Sequence, residues 1–210
     1  MLIFECNSKE DITKCISIIK QGGVVVFPTD TVYGIGCDPY NEEAIERIFR
    51  IKKRSKTKPL PILTHNVESV KKIINLDKIG SKLAKAFWPG QLTIIGHLID
   101  DNIPKIVTGG KESLGVRIPN NLCTLELLKG CDFLLGTSAN ISNTDSSVSA
   151  QQIFESDLKG YDAILIGDNN ILKRNVLSST IVDITENSLQ IIREGPVKSE
   201  DIYEIISRPK

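Results

Sequence analysis

The spacing of apolar residues changes period repeatedly along this chain, and each change marks an element. Ile12, Cys15, Ile16 and Ile19 recur at three- and four-residue steps and predict a helix, with Ser8 and Asp11 as a capping box and Gly22-Gly23 as its stop. "VVVF", residues 24–27, is a continuous apolar run of the kind found in buried strands. It ends at Pro28 and opens a polar loop, "PTDTVYGIG". Asn41 is placed to cap a second helix, with Glu42 and Glu43 in its first turn and Ala44, Ile45, Ile48 and Phe49 on its apolar face. "PLPIL" reads as a strand, Val67, Val70 and Ile74 as a helix, and Leu83, Ala86 and Phe87 as another. "FWPGQ" breaks the chain before the strand-like "LTIIGHLI", residues 92–99. Leu114, Val116 and Ile118 alternate with Gly115 and Arg117, the pattern of a half-buried strand. "DFLLG" then runs into "TSANISNTDSS". Ser149 and Gln152 form another capping box. "AILIG", "STIVDI" and "LQIIRE" are strands, the last two a hairpin, and a final helix starts near Ser199.

Helices and strands mix without a strict βα repeat. The expectation is one α/β domain over residues 1–210, a mixed β-sheet flanked by helices. Composition agrees: 40% hydrophobic and 25% charged residues are ordinary for a soluble protein. The 26 basic and 26 acidic residues cancel, which argues against a general nucleic-acid binder but leaves room for a local basic site. The cysteines, at 6, 15, 37, 123 and 131, are odd in number and show no CxxC spacing, so reduced thiols are expected rather than disulfides or zinc. Cys37 reads as a small apolar residue. The two histidines, His65 and His97, stand in unrelated contexts. No metal site made of protein side chains is expected. The N-terminus meets acids too early for a signal peptide, and no apolar run reaches membrane-spanning length. A cytoplasmic protein is expected.

Chemistry concentrates in a few segments. From Arg50 to Lys58, "RIKKRSKTK" carries Arg50, Lys52, Lys53, Arg54, Lys56 and Lys58 with no carboxylate among them. The polar groups "PTDT", "TSAN" and Arg193 each follow a strand, where ligand sites in α/β sheets gather. No Walker motif is present, and the GxG of "YGIG" lacks a strand–turn–helix context. A polyphosphate still fits the chemistry: Lys52, Arg54 and Lys58 supply charge, and hydroxyls and backbone amides supply donors. Arg117, between apolar neighbours, needs a partner, and a substrate carboxylate held by two hydrogen bonds is a natural one. Trp88 and His65 read as structural.

"FPTDTVYGIGCD", "IKKR…KPL", "FWPGQLT", "GVRIP", "TSANIS", "SSTIVDI" and "IIREGP" together resemble, in order, the motifs of the YrdC family of threonylcarbamoyl-AMP synthases. The resemblance spans roughly residues 10 to 205. It implies a twisted α/β sheet with a positively charged concave cleft, in a short, single-domain member. It implies an enzyme that condenses L-threonine, bicarbonate and ATP, with Mg²⁺, into threonylcarbamoyl-AMP and pyrophosphate. A partner complex then transfers the threonylcarbamoyl group to the tRNA adenosine next to the anticodon, and tRNA contact is a possible accompaniment.

By the same resemblance Thr31, Tyr33, Arg117, Thr137 and Ser179 form the threonine site. Lys52, Arg54 and Lys58 are the phosphate ligands, Lys52 and Arg54 also offsetting charge during reaction. Ser113, Ser138, Asn140, Ser146 and Arg193 complete the nucleotide site. The chain departs from the family pattern at Ser55, Gln91, Asn121 and Asn143, where Pro, Pro, His and Gly are common; these positions bear on loop shape. An RNA-binding module without chemistry is the alternative. It is disfavoured because Arg117, Thr31 and Ser179 describe a small-molecule pocket and no aromatics interleave with the basic run. A carbamoyl-phosphate-dependent domain of the hydrogenase-maturation type is a weaker third reading.

Overall fold

A computed structural model describes residues 1–167, 177–186 and 188–208. The strands are β1 (Leu2–Glu5), β2 (Val25–Phe27), β3 (Gly34–Cys37), β4 (Ile62–Thr64), β5 (Leu92–His97), β6 (Ser113–Arg117), β7 (Phe133–Ser138), β8 (Ala163–Ile166), β9 (Thr180–Asp183) and β10 (Gln190–Arg193). The helices are α1 (Lys9–Lys20), α2 (Glu42–Ile51), α3 (Val67–Ile73), α4 (Lys78–Phe87), α5 (Lys105–Thr108), α6 (Leu122–Cys131), α7 (Ala150–Glu155) and α8 (Ser199–Ser207). All these strands join one sheet in the order β1-β8-β2-β3-β7-β4-β6-β5-β9-β10. Pairings β1–β8, β2–β8, β4–β6 and β5–β9 are parallel and the others antiparallel, which is the mixed sheet the sequence predicts.

Alternation along the strands assigns the two faces. Ile35, Ile62, Val116 and Leu135 point to one face, under the apolar side of α2 and α3. Leu92, Ile94 and Val182 continue that face under Leu83 and Ala84 of α4 and Ile202 of α8. The opposite face is covered only in part. Val25, Phe27, Leu63, Leu134 and Leu165 pack there against Ile12, Cys15 and Ile19 of α1 and Leu127 and Leu128 of α6. Beyond Leu63 the cover stops. Arg117 lies opposite Leu63 in the register, and Gly115 of β6, Thr93 and Ile95 of β5 and Ile181 of β9 line an open cavity there. The site is a stretch of sheet left uncovered by the helices of the described residues.

Helix starts follow the sequence expectations closely. Ser8, Asn41 and Ser149 each accept a hydrogen bond from the backbone N–H three residues on. Four elements escape the pattern: β1, β3, the one-turn α5 and α6. β1 is brief and its neighbours are polar. β3 contains two glycines, the weakest strand formers. There a Cβ on Gly36 would stand 2.1 Å from the Leu135 carbonyl oxygen, so the close approach of β7 demands glycine. The last three residues of the supposed polar loop "PTDTVYGIG" are therefore strand. α6 is hidden behind Asn121, which is its cap, accepting from Thr124 N–H at 3.0 Å.

The structure corrects one reading of the cysteines. Cys6, after β1, and Cys123, in the first turn of α6, form a disulfide across a separation of 117 residues. Sequence spacing says nothing of this because the two segments meet only through the sheet. Cys15, Cys37 and Cys131 are free thiols. Burial pushes the Cys15 thiol up to about 12, so it stays protonated at neutral pH. Closing so long a loop constrains the unfolded chain, and such bridges contribute about 2–4 kcal/mol. Alkylation of the unfolded, unreduced protein is expected to modify Cys15, Cys37 and Cys131 only, and Cys123→Ser to lower urea-unfolding stability by that amount. Modification of Cys6 and Cys123 without reductant would refute the bridge.

Candidate active site

The cavity over the uncovered face has a volume of about 240 Å³. Its wall brings together residues far apart in the chain: Thr29 and Thr31, Arg54, Thr93, Arg117, Thr137 and Ser138, Ser179 and Arg193. Seven residues singled out from the sequence are among these: Thr31, Arg54, Arg117, Thr137, Ser138, Ser179 and Arg193.

Arg117 lines the cavity and is only 7% exposed. Its Nη2 donates to Asp30 Oδ1 at 2.6 Å, its Nη1 to Thr31 Oγ1 at 3.0 Å and its Nε to the Gly90 carbonyl at 2.9 Å. Burial works against its charge, and Asp30 opposes that effect. The structural ion pair and the cavity position thus coexist. Thr31 is held in a tight turn: Thr29 Oγ1 donates to the Val32 carbonyl at 2.6 Å and accepts from Thr31 N–H at 3.1 Å. Ser179 Oγ lies 2.8 Å from Thr93 Oγ1, which ties the start of β9 to β5.

Arg193 donates from Nε and Nη2 to the Ser179 carbonyl at 3.1 and 2.7 Å. Glu194, its sequence neighbour, is engaged instead with Lys198 and Ser199 at the start of α8. Arg54 Nη2 donates to the Pro59 carbonyl at 2.9 Å. Neither Arg54 nor Arg193 has a carboxylate partner among the described residues. Burial disfavours the charge of each, and Arg117 adds to this at Arg193. Two guanidinium groups at the cavity wall are therefore held by carbonyls alone.

The rest of the basic run disperses. Lys56 pairs with Glu46 of α2 at 2.6 Å. Lys58 is exposed and outside the cavity wall. Lys52 is 1% exposed and turns inward. Its ammonium donates to the Ser138 carbonyl, to the Asn140 carbonyl at 2.7 Å and to Asn140 Oδ1 at 3.3 Å. Its own carbonyl accepts from Ser142 N–H at 2.8 Å. Asn140 Nδ2 donates onward to the carbonyls of Ile141 and Thr144. The loop after β7 is thus wound around one buried lysine. Asn143 adopts φ 69° within it, a left-handed conformation that glycine or asparagine takes at least cost.

Lys52 and Asn140 therefore face each other, and neither lines the cavity. Ser113, Ser146 and Tyr33 are also outside the cavity wall. Tyr33 is fully buried, with its hydroxyl 3.5 Å from Gly167 N–H. The sequence reading missed Asp30, Thr93 and Gln91. Asp30 stood inside "PTDT" itself, and a buried arginine on β6 was the signal that a carboxylate had to be near. Trp88 is structural as expected, its indole N–H donating to the Leu92 carbonyl at 2.7 Å. Among the described residues no group of three His, Cys, Asp or Glu gathers as a metal site, and no helix is long and apolar enough to cross a membrane.

Burial lowers the Lys52 pKa to about 7, with the Arg54 charge adding to the effect. A lysine whose folded pKa lies below its unfolded value of 10.5 disfavours folding at low pH and releases that cost as pH rises from 7. Wild-type stability relative to Lys52→Met is therefore expected to grow between pH 7 and pH 10 in chemical denaturation. A gap that stays flat or narrows would contradict the burial of this ammonium.

The comparisons with known proteins agree with this fold. The Sua5/YciO/YrdC family model, described as "Telomere recombination", matches residues 17–195. A threonylcarbamoyl-AMP synthase of Pyrococcus abyssi is 33% identical over 90% of this chain, and the chain spans 55% of that relative's length. A threonylcarbamoyl-AMP synthase of Psychromonas ingrahamii is 27% identical, with 86% of this chain and 88% of the relative aligned. The crystal structure of P. abyssi Sua5 complexed with L-threonine superposes with a TM-score of 0.92 at 30% identity, covering 99% of this chain and 61% of the other. E. coli YciO shares the fold, with a TM-score of 0.84 at 23% identity over 96% of this chain and 98% of its own. Motif order, sheet topology and a family match over most of its length establish that this chain belongs to the Sua5/YciO/YrdC family.

Proposed function

We propose that this chain is a nucleotidyltransferase, an L-threonylcarbamoyladenylate synthase. The observation that carries the reading is the state of Arg117. Three of its five guanidinium N–H groups fix it in place, and two remain for a ligand at the cavity wall. A pinned guanidinium with spare donors suits the carboxylate of a free amino acid. Thr31 and Ser179 supply hydroxyls beside it, within reach of the substrate's own polar groups, and Thr137 completes that side. A surface built only to clamp RNA has no use for a carboxylate such as Asp30 against its central arginine. The relatives named as threonylcarbamoyl-AMP synthases, and the related Sua5 bound to L-threonine, support the same substrate.

The triphosphate of ATP would lie along Arg54 and Arg193. Contacts to Lys58, Ser113 and Ser146 require the nucleotide to extend beyond the cavity wall. Lys52 would serve the nucleotide indirectly, by fixing the loop that carries Ser138. Mg²⁺ would arrive with the triphosphate. In the reaction, the neutral amine of threonine adds to the carbon of bicarbonate-derived carbon dioxide, losing a proton. The carbamate oxygen then attacks the α-phosphate and pyrophosphate leaves. Arg54 and Arg193 would offset the charge that builds on the phosphates. Holding three reactants in one cavity can lower the barrier by about 7–11 kcal/mol in favourable cases. The product would pass to a threonylcarbamoyl-transferring complex acting on tRNA, in the cytoplasm.

Pyrophosphate release from Mg-ATP and bicarbonate is expected to require L-threonine, and mass spectrometry should show threonylcarbamoyl-AMP. Arg117→Ala is expected to raise the KM for threonine roughly 10- to 100-fold, the range of a lost charged hydrogen bond, with a smaller effect on ATP. Release independent of threonine would defeat the reading.

A further inference from the structure

We propose that Gln91 is a positioning residue of the amino-acid subsite, acting through Asp30 to set Thr31 and Arg117; this rests on the function proposed above. The turn at Gly90-Gln91 is hydrogen-bonded to Arg117, to Asp30 beside Thr31 and to Thr180 beside Ser179. The Gly90 carbonyl accepts Arg117 Nε at 2.9 Å. The Gln91 carbonyl accepts Thr180 N–H at 3.0 Å, the residue that follows Ser179. The Gln91 side chain reaches the other way, its Nε2 donating to the Asp30 backbone carbonyl at 2.6 Å. Only the amide nitrogen of glutamine can serve a carbonyl acceptor, so the orientation of the side chain is fixed by its partner.

Asp30 is thereby held at two points, its carbonyl by Gln91 and its carboxylate by Arg117. Those two holds fix the peptide that leads directly into Thr31, whose hydroxyl accepts from Arg117. Without the Gln91 donor, the Asp30–Thr31 peptide loses its tie to the β5 side of the cavity. Arg117 stays tied to the Gly90 carbonyl, and Ser179 to Gln91 through Thr180, but Thr31 is then held to them only by way of Arg117, and its position loosens. The consequence falls on the small substrate, which needs these groups together. The nucleotide side of the cavity, Arg54 and Ser138, makes no contact with Gln91 in this network. Proline at this position would have no donor to offer. Asparagine would be one methylene shorter.

The test uses Gln91→Met, which keeps length and volume but removes the donor, and Gln91→Ala, which removes both. Each is compared with wild type for KM of L-threonine, KM of ATP, and the Kd of L-threonine by calorimetry. Both variants are expected to raise KM and Kd for threonine about 3- to 10-fold, the loss typical of one neutral hydrogen bond, with the KM of ATP within about twofold. A Met variant that behaves as wild type would reduce Gln91 to a space-filling role and overturn the inference. Equal increases for threonine and ATP would also overturn it, since they would mean general loosening of the cavity. Wild-type turnover that ignores threonine would overturn the parent reading and this inference together, and is distinguished by the wild type alone.

Discussion

A single buried ion pair, Arg117 with Asp30 at 2.6 Å, is the constraint on which the cavity depends. A guanidinium taken out of water needs its charge and its donors satisfied, and leaving either partner alone costs about 3–5 kcal/mol in typical buried pairs. Here satisfaction comes from two segments outside β6: the Thr29–Thr31 turn and the turn at Gly90. Arg117 is buried at a cavity that the helices of the described residues leave uncovered. The same gap in the cover that makes the cavity also makes room for its central cation.

The surrounding groups follow the same logic of fixed geometry. Lys52 is buried against carbonyls and shapes the loop that follows β7. Thr93 pins Ser179, and the Ser179 carbonyl in turn receives Arg193. Each of these polar groups is therefore oriented by the protein before any ligand enters. Such preorganisation moves the cost of ordering from binding to folding. The disulfide between Cys6 and Cys123 joins the same scheme from outside. It anchors the first turn of α6, where Thr124 Oγ1 donates to the Pro28 carbonyl just ahead of the Thr29–Thr31 turn.

Much of this is legible in the sequence, for identifiable reasons. Apolar period and capping residues locate α1, α2 and α7, because those signals are local. The two-residue alternation of Leu114, Val116 and Ile118 is enough to put Arg117 on the opposite side of its strand from those apolar residues. β3 stays hidden because its glycines answer to a neighbouring strand, not to their own propensity. The disulfide stays hidden because contact between Cys6 and Cys123 is made by the sheet order. The burial of Lys52 stays hidden for a related reason: the carbonyls that wrap it belong to the loop after β7, far away in the chain. Asp30 and Gln91 bond partners more than sixty positions away, and no local pattern marks those contacts.

The central claim is that Arg117, pinned by Asp30, receives the carboxylate of an amino acid. Calorimetric titration of L-threonine against L-threoninol, the same molecule with its carboxylate reduced to an alcohol, tests that claim most directly. The account predicts measurable binding of threonine and at least about tenfold weaker binding of threoninol, a difference that disappears in Arg117→Ala. Equal affinity for the two ligands in the wild type would contradict it.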